Sequence, residues 1–260
     1  MNLEKIKLYE QKTLTNKMLK EAMNISYNNV CFSTFPYIEA KIKTSKEAII
    51  KNSSGNCIGI SEFIKLYLKN NYNINSHIII SECPIQFRSQ DQSDICHCAL
   101  LIPKTKKTFY IIDCAFFIND PLYINIDDKG TYIGKITDIY NNKEKKLFYN
   151  YEKTYDFGVL KNSFSCNCVS EDLKWKYYLN EIHNPDETIG NEFHLAKKEP
   201  ILIKTKILQD KIIKVIKIKK EGNQITIRRN NISNTYNINQ IPYNEMIEIK
   251  KLYKFLRNTI

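Results

Sequence analysis

The sequence predicts an α+β protein in which helices come first, an antiparallel sheet follows, and a β-hairpin with one more helix closes the chain. Three observations lead there. Apolar residues from Ile60 to Tyr67 recur at i, i+3, i+4 and i+7, the spacing of one helix face. Between Ser76 and Phe157 they fall instead into short β-branched and aromatic runs divided by polar turns. From Ile212 to Arg229 apolar and polar residues alternate about a Gly-Asn turn, and a proline-led apolar stripe follows.

Taken in order, residues 1 to about 30 read as helical, with Thr15 able to cap a turn in which Met18, Leu19, Ala22 and Met23 share a face. Val30–Ile42, rich in aromatics, reads as extended or looping. In Ser53–Asn70, Gly55 and Asn56 break the pattern and a helix follows, with Cys57 in its first turn and Ile60, Phe63, Ile64 and Tyr67 on its apolar face. Strands are expected at Ser76–Ser81, with His77 at its edge, and at Ile95–Ile102 and Thr108–Ala115, joined by the turn Pro103–Lys107. Further strands are expected at Leu122–Ile126, Tyr132–Ile136 and Leu147–Phe157, and Ser163–Asn191 reads as irregular and polar around Trp175, Tyr177 and Tyr178. In the late hairpin Ile216 and Ile218 oppose Lys217 and Lys219, then Ile225 and Ile227 oppose Thr226 and Arg228, across the turn Glu221-Gly222-Asn223. Pro242 opens a last helix whose stripe is Met246, Ile249, Leu252, Tyr253 and Leu256, suited to core or lid packing.

Composition narrows the class. With 260 residues, 43 % hydrophobic and 12 % aromatic, the chain can bury a real core, which excludes global disorder. No apolar run approaches the length of a membrane span, and the start alternates charge with apolar residues, so a soluble cytoplasmic protein is expected and no membrane partner. That compartment keeps the eight cysteines reduced. Their close pairs, Cys96/Cys98 and Cys166/Cys168, have one residue between them rather than the two of a zinc knuckle, which favours buried thiols and no metal. On a strand, Cys96 and Cys98 should point together into a core while His97 faces the other way. The net charge of +11 is concentrated late: Lys197–Arg229 holds 11 Lys and Arg against Glu199, Asp210 and Glu221, a net +8. A nucleic acid, a membrane surface or a phosphorylated cofactor would each answer that field. Aromatics are not interleaved with the basic residues as a base-stacking platform requires, so nucleic acid is not the expected partner.

The chemistry-bearing residues are Cys57, His97 and Asp113. A cysteine in the first turn of a helix has its thiolate stabilised by the helix dipole and by orphan N–H groups. The short turn between the second and third strands brings His97 and Asp113 near one end of the sheet, where the carboxylate can orient the imidazole. Taken singly, each has a structural reading: a small buried hydrophobe, a core histidine, a turn aspartate. Occurring in this order, they read as nucleophile, base and orienter.

This order resembles the arylamine N-acetyltransferases and, more broadly, the transglutaminase-like and papain-like cysteine enzymes. The details that favour the first are His97-Cys-Ala-Leu-Leu-Ile, then Tyr110-Ile-Ile-Asp113-Cys-Ala-Phe, then Pro121-Leu122, and later Asp186-Glu-Thr-Ile-Gly-Asn191-Glu-Phe193. The family's Arg-Gly-Gly-x-Cys-x-Glu reads Ser53-Ser54-Gly55-Asn56-Cys57-Ile58-Gly59 here, and its glycine-bearing loop after the aspartate reads Phe116-Phe117-Ile118-Asn119. The resemblance implies a helical bundle over 1–75 carrying the nucleophile, a β-barrel or sheet over 76–185 carrying His and Asp, and an α/β lid over 186–260. It implies ping-pong acetyl transfer from acetyl-CoA to an amine, arylamine-like or an amino sugar, with donor contacts from Ser93, Phe116, Asn119, Lys197 and Lys198. A transglutaminase-like or thiol hydrolase with the same trio is the alternative, and a non-enzymatic basic nucleic-acid module a further one.

Overall fold

The computed structural model describes residues 10–85, 95–138, 142–156, 159–168, 173–182, 200–209, 211–229 and 232–252. Its class is the expected α+β. Helix α1 (Asn16–Asn29) begins where the Thr15 side chain accepts from the Met18 N–H, 3.4 Å away, so one orphan donor of the first turn is satisfied. It buries Leu19, Ala22, Met23, Ser26 and Tyr27. Then come β1 (Cys31–Ser33), α2 (Phe35–Ile38), α3 (Ser45–Asn52), β2 (Ser54–Gly55) and α4 (Cys57–Tyr72). The extended or looping reading of Val30–Ile42 therefore holds for β1 and for the irregular residues after α2, and fails at α2 itself. Pro36 lies in the first turn of α2, where its missing N–H has no intrahelical partner to lose. In α4, Ile60, Ile64 and Leu68 are buried, with Phe63 and Tyr67 packed beside them.

Strands β3 (His77–Glu82), β4 (Ile95–Pro103), β5 (Thr108–Ile112), β6 (Leu122–Asn125), β7 (Tyr132–Asp138), β8 (Lys143–Asp156), β9 (Val159–Cys168) and β10 (Leu173–Ile182) form one antiparallel sheet. Their order is β6-β5-β4-β3-β10-β9-β8-β7. The sheet curls into a half-barrel because its far edge, β7, is laced to the segment leading into β6. The Asn119 N–H donates to Lys135 O at 2.8 Å, the Thr137 N–H to Phe117 O at 2.9 Å, and Ile118 bridges to Ile136. Ile79, Leu101, Ile111, Leu122, Leu147, Trp175 and Tyr177 fill the interior.

The irregular reading of Ser163–Asn191 is corrected by β9 and β10. Trp175, Tyr177 and Leu179 are buried at every second position, and β10 pairs with β3 as well as β9. Ser163, Ser165 and Asn167 in β9 and Lys174, Lys176 and Asn180 in β10 weaken strand propensity, and long-range pairing overrides it. Residues 183–199 lie outside the described part.

The second sheet has the order β14-β13-β12-β11-β1-β2, with β11 (Ile201–Leu208), β12 (Lys211–Glu221), β13 (Gln224–Arg229) and β14 (Ile232–Asn237). The expected hairpin is β12–β13: Glu221 pairs with Gln224, and Gly222 takes a φ of +55° in the tight turn. Ile216, Ile218, Ile225 and Ile227 pack with Ile249 and Met246 of α5 (Tyr243–Leu252). Tyr253 and Leu256 of the expected stripe lie outside the described residues. Strand β1 joins the two ends of the chain, antiparallel to β11 and parallel to β2. Among the described residues no helix is long and apolar enough to cross a membrane.

Candidate active site

Strand β2 ends one residue before the cap of α4, so the start of this helix is tied to the second sheet. Asn56 is the cap. Its Oδ1 accepts from the Gly59 N–H (3.1 Å), the Tyr37 hydroxyl (3.1 Å) and the Ser45 hydroxyl (2.8 Å), and its own N–H donates to the Tyr37 hydroxyl at 3.0 Å. Asn56, Ser45 and Tyr37 are all buried. Cys57 is the first helical residue, 5 % exposed, against the macrodipole's positive end.

The other two residues come from neighbouring strands. Leu100 pairs with Ile112 between β4 and β5. Extending that register one step sets Asp113 opposite Ala99, on the face that also carries His97, since direct partners and residues two apart share a face. His97 Nε2 and Asp113 Oδ2 are 2.7 Å apart, with both residues buried. The same oxygen accepts from the Tyr177 hydroxyl at 2.7 Å, and Oδ1 accepts from the Phe116 N–H at 3.0 Å. Phe116 lies flat on the imidazole, 3.7 Å between centroids and 8° between planes. Trp175 meets Phe116 edge-on at 5.2 Å. The ring is thus held by a carboxylate at one nitrogen and by an aromatic face, which leaves Nδ1 for the sulfur.

Cys57 and His97 meet. The Cys57 sulfur accepts from the Cys98 side chain, the His97 imidazole and the Cys98 backbone N–H. The expectation that His97 and Cys98 leave the strand on opposite faces fits Cys98 packing in the α1/α4 core and Asp113, His97's partner, taking the hydroxyl of Tyr177 from the half-barrel interior.

These contacts set the protonation states. The Cys98 hydrogen bond, with the charge and hydrogen bond of His97, outweighs burial and holds the Cys57 thiol well below its ordinary 9.0. Burial pulls His97 down, but the charges of Asp113 and Cys57 overcome it and raise the imidazole from 6.5 to about 10. Burial, and then Cys57, push the Cys98 thiol well above 9.0. Both shifts favour a thiolate–imidazolium pair, beside a thiol that burial keeps neutral.

Of the remaining predicted residues, Phe116 touches His97, and Asn119 is buried, with Oδ1 accepting from Thr137 (2.9 Å) and Nδ2 donating to Glu144 (3.3 Å). Ser93, Lys197 and Lys198 lie outside the described residues. Sequence reasoning missed Tyr177, Cys98 and the Tyr37–Ser45–Asn56 cluster. For Tyr177 a signal existed, the two-residue alternation with Trp175 and Leu179.

No protein-family model matches the chain, and no curated protein matches it by sequence. Solved structures do match. An arylamine N-acetyltransferase from Bacillus cereus, described with a Cys-His-Glu catalytic triad, superposes with a TM-score of 0.59 at 15 % identity over 92 % of each chain. Arylamine N-acetyltransferase C of Bacillus anthracis gives 0.57 at 14 % identity, over 92 % of this chain and 91 % of that one. The arylamine N-acetyltransferase of M. smegmatis gives 0.55 at 10 %, over 91 % and 82 %. At these identities the likeness is one of architecture, and it extends over nearly the whole length: the chain has the fold of the arylamine N-acetyltransferases.

Proposed function

We propose that this protein is an acyltransferase, and in finer terms an N-acetyltransferase that moves an acetyl group from acetyl-CoA to an amine through an acetyl-Cys57 intermediate. The observation that carries the reading is the buried Cys57 sulfur meeting a His97 that is held by Asp113. The Cys57 thiolate attacks the thioester carbonyl; a new C–S bond forms, the old one breaks, and His97 gives its proton to the departing CoA thiolate. An amine then attacks the acetyl-cysteine, His97 takes the amine's proton, and the amide leaves with Cys57 again a thiolate. Asp113 orients the imidazole and stabilises its charged form. The N–H groups of Cys57 and Ile58, in a first turn that offers no helical acceptor, suit the oxyanion, a role worth roughly 3–4 kcal/mol per donor. The Bacillus cereus relative is described with glutamate as third member, and Asp113 takes that role here.

A phosphate-bearing donor is supported by one row of the second sheet. Gly55, Phe32, Ile203, Lys217 and Arg228 are successive lateral partners, so they share a face. Phe32 and Ile203 pack in the core that contains Cys57. At about 4.8 Å per strand, Lys217 stands about 14 Å and Arg228 about 19 Å from Gly55, the order of a pantetheine arm between thioester and diphosphate. Contacts from Phe116, Asn119, Ser93, Lys197 and Lys198 belong to the same proposal, as do a cytoplasmic location and a division into nucleophile-bearing (1–75), His- and Asp-bearing (76–185) and covering (186–260) domains. The acceptor is arylamine-like or an amino sugar.

Intact mass after incubation with acetyl-CoA tests the reading. Wild type should gain one acetyl group and release CoA, and Cys57→Ala should do neither. No adduct and no CoA release from wild type would reject acetyl transfer and leave the thiol-hydrolase reading, with peptide amides and esters as its substrates.

A further inference from the structure

The thiol beside Cys57 supports the nucleophile by a hydrogen bond but takes no bond-making step in the proposed acyl transfer. Cys98 is fully buried in the core that holds Cys57, on the strand against which α4 packs, and its side chain hydrogen-bonds the Cys57 sulfur. Both cysteines are free. Two sulfurs that share a hydrogen bond in one core need little movement to reach bonding distance.

We propose that Cys57 and Cys98 form a reversible intrachain disulfide, with Cys98 as the resolving thiol when a peroxide oxidises Cys57. The Cys57 thiolate attacks a peroxide oxygen; an S–O bond forms, the O–O bond breaks, and the other oxygen leaves as water or an alcohol with a proton from His97. The Cys98 sulfur then attacks the sulfenyl sulfur of Cys57. An S–S bond forms, the S–O bond breaks, and hydroxide leaves as water with the proton that Cys98 gives up to His97. Two thiols lose two electrons and the peroxide gains them.

The order of events follows from the surroundings. Cys57 keeps 5 % exposure and its surroundings favour the thiolate, whereas Cys98 has none and burial favours its neutral thiol, so a small oxidant reaches Cys57 first. Burial is the main influence holding the Cys98 thiol protonated, and the Cys57 charge adds to it. Sulfenic acid formation removes that second influence at the moment Cys98 must react. The disulfide removes the nucleophile from use and keeps its sulfur from irreversible oxidation, and an external thiol restores both cysteines. None of this depends on the acyl donor or acceptor.

Peptide mass analysis of the full-length protein after hydrogen peroxide, with iodoacetamide quenching, tests the proposal. Wild type should lose two hydrogens without gaining oxygen, and fragmentation should locate the link between Cys57 and Cys98. Dithiothreitol should reverse it. Cys98→Ser and Cys98→Ala should instead accumulate sulfinic acid on Cys57 that dithiothreitol does not remove. Sulfinic acid on wild-type Cys57 without a cross-link, or a link from Cys57 to Cys96, would overturn the proposal whether or not acetyl transfer is found. If both variants fail to fold, the wild-type cross-link still decides.

Discussion

Asp113 Oδ2 has two donors, the His97 imidazole and the Tyr177 hydroxyl, each at 2.7 Å, while Oδ1 has the Phe116 N–H. A buried carboxylate needs that much company. Tyr177→Phe removes one donor and leaves two, so it should cost about 1.5 kcal/mol in a urea melt, the lower end for a hydrogen bond to a charged group. The Cys57–His97–Asp113 arrangement survives, so the proposed acyl-enzyme formation should slow less than tenfold; a loss of a hundredfold or more would mean that Tyr177 alone holds Asp113 in place. Phe117 poses a different question. It is buried, yet its φ is +57°, in the left-handed region that disfavours side chains. Replacing it removes apolar burial worth roughly 2–3 kcal/mol, whichever small residue enters. Alanine keeps the backbone strain and glycine relieves about 1 kcal/mol of it. Phe117→Gly should therefore melt above Phe117→Ala, the reverse of the usual order; equal or inverted melting points would show that the backbone relaxes around alanine.

At the scale of elements, the start of α4 depends on a glycine that the sequence reading took as a departure from a motif. A Cβ on Gly59 would stand 2.8 Å from Ile49 Cγ1 and 3.3 Å from Ser45 O, so α3 approaches α4 here as only glycine permits. The Ile49 side chain can move; the Ser45 carbonyl is backbone at the start of α3. Gly59→Ala should cost about 1–3 kcal/mol by overpacking and loosen the Ser45–Asn56 contact that fixes the cap. Reactivity of Cys57 toward iodoacetamide should fall with it, and full stability with unchanged reactivity would refute the close-approach account. What the sequence displayed follows the same division. The faces of α1 and α4, the β12–β13 hairpin and the His97–Asp113 pairing were legible because helical period, a Gly-Asn turn and a short strand connection are local signals. Strand β10 and the pairing of β1 with β11 were not, since their partners are distant in sequence, and the alternation of Trp175, Tyr177 and Leu179 is a local trace that does not say where the strand pairs. Cys98 was legible as buried. Its contact with Cys57 was hidden, because nothing local says where a helix start lands on a strand.

Over the whole molecule, the site joins three parts that the chain keeps far apart: β2 leading into Cys57, the β4–β5 pair, and β10 with Tyr177. Folding therefore couples two titrations, and pH should show it. In the unfolded chain His97 titrates near 6.5 and Cys57 near 9.0; in the folded protein His97 rises to about 10 and Cys57 falls well below 9.0. His97 alone contributes stability that is full below pH 6.5 and is lost as pH rises through about 10. Cys57 alone contributes stability that is full above pH 9.0 and is lost as pH falls through its depressed folded value. Below 9.0, and above both 6.5 and the depressed folded value of Cys57, the two slopes cancel, because the folded pair and the unfolded pair each hold one proton. The pair's contribution should thus be level across that window and decline on both sides. Cys57→Ala removes one slope and leaves the other, so the stability of wild type relative to the variant should rise with pH up to about 9. Urea melts of both proteins at half-unit steps from pH 6 to 9.5, with thiolate absorbance at 240 nm followed in parallel, would measure it. A difference independent of pH, or no thiolate absorbance at pH 7, would mean that Cys57 and His97 meet as neutral groups, and nucleophilic activation would then have to come from the acyl donor's arrival.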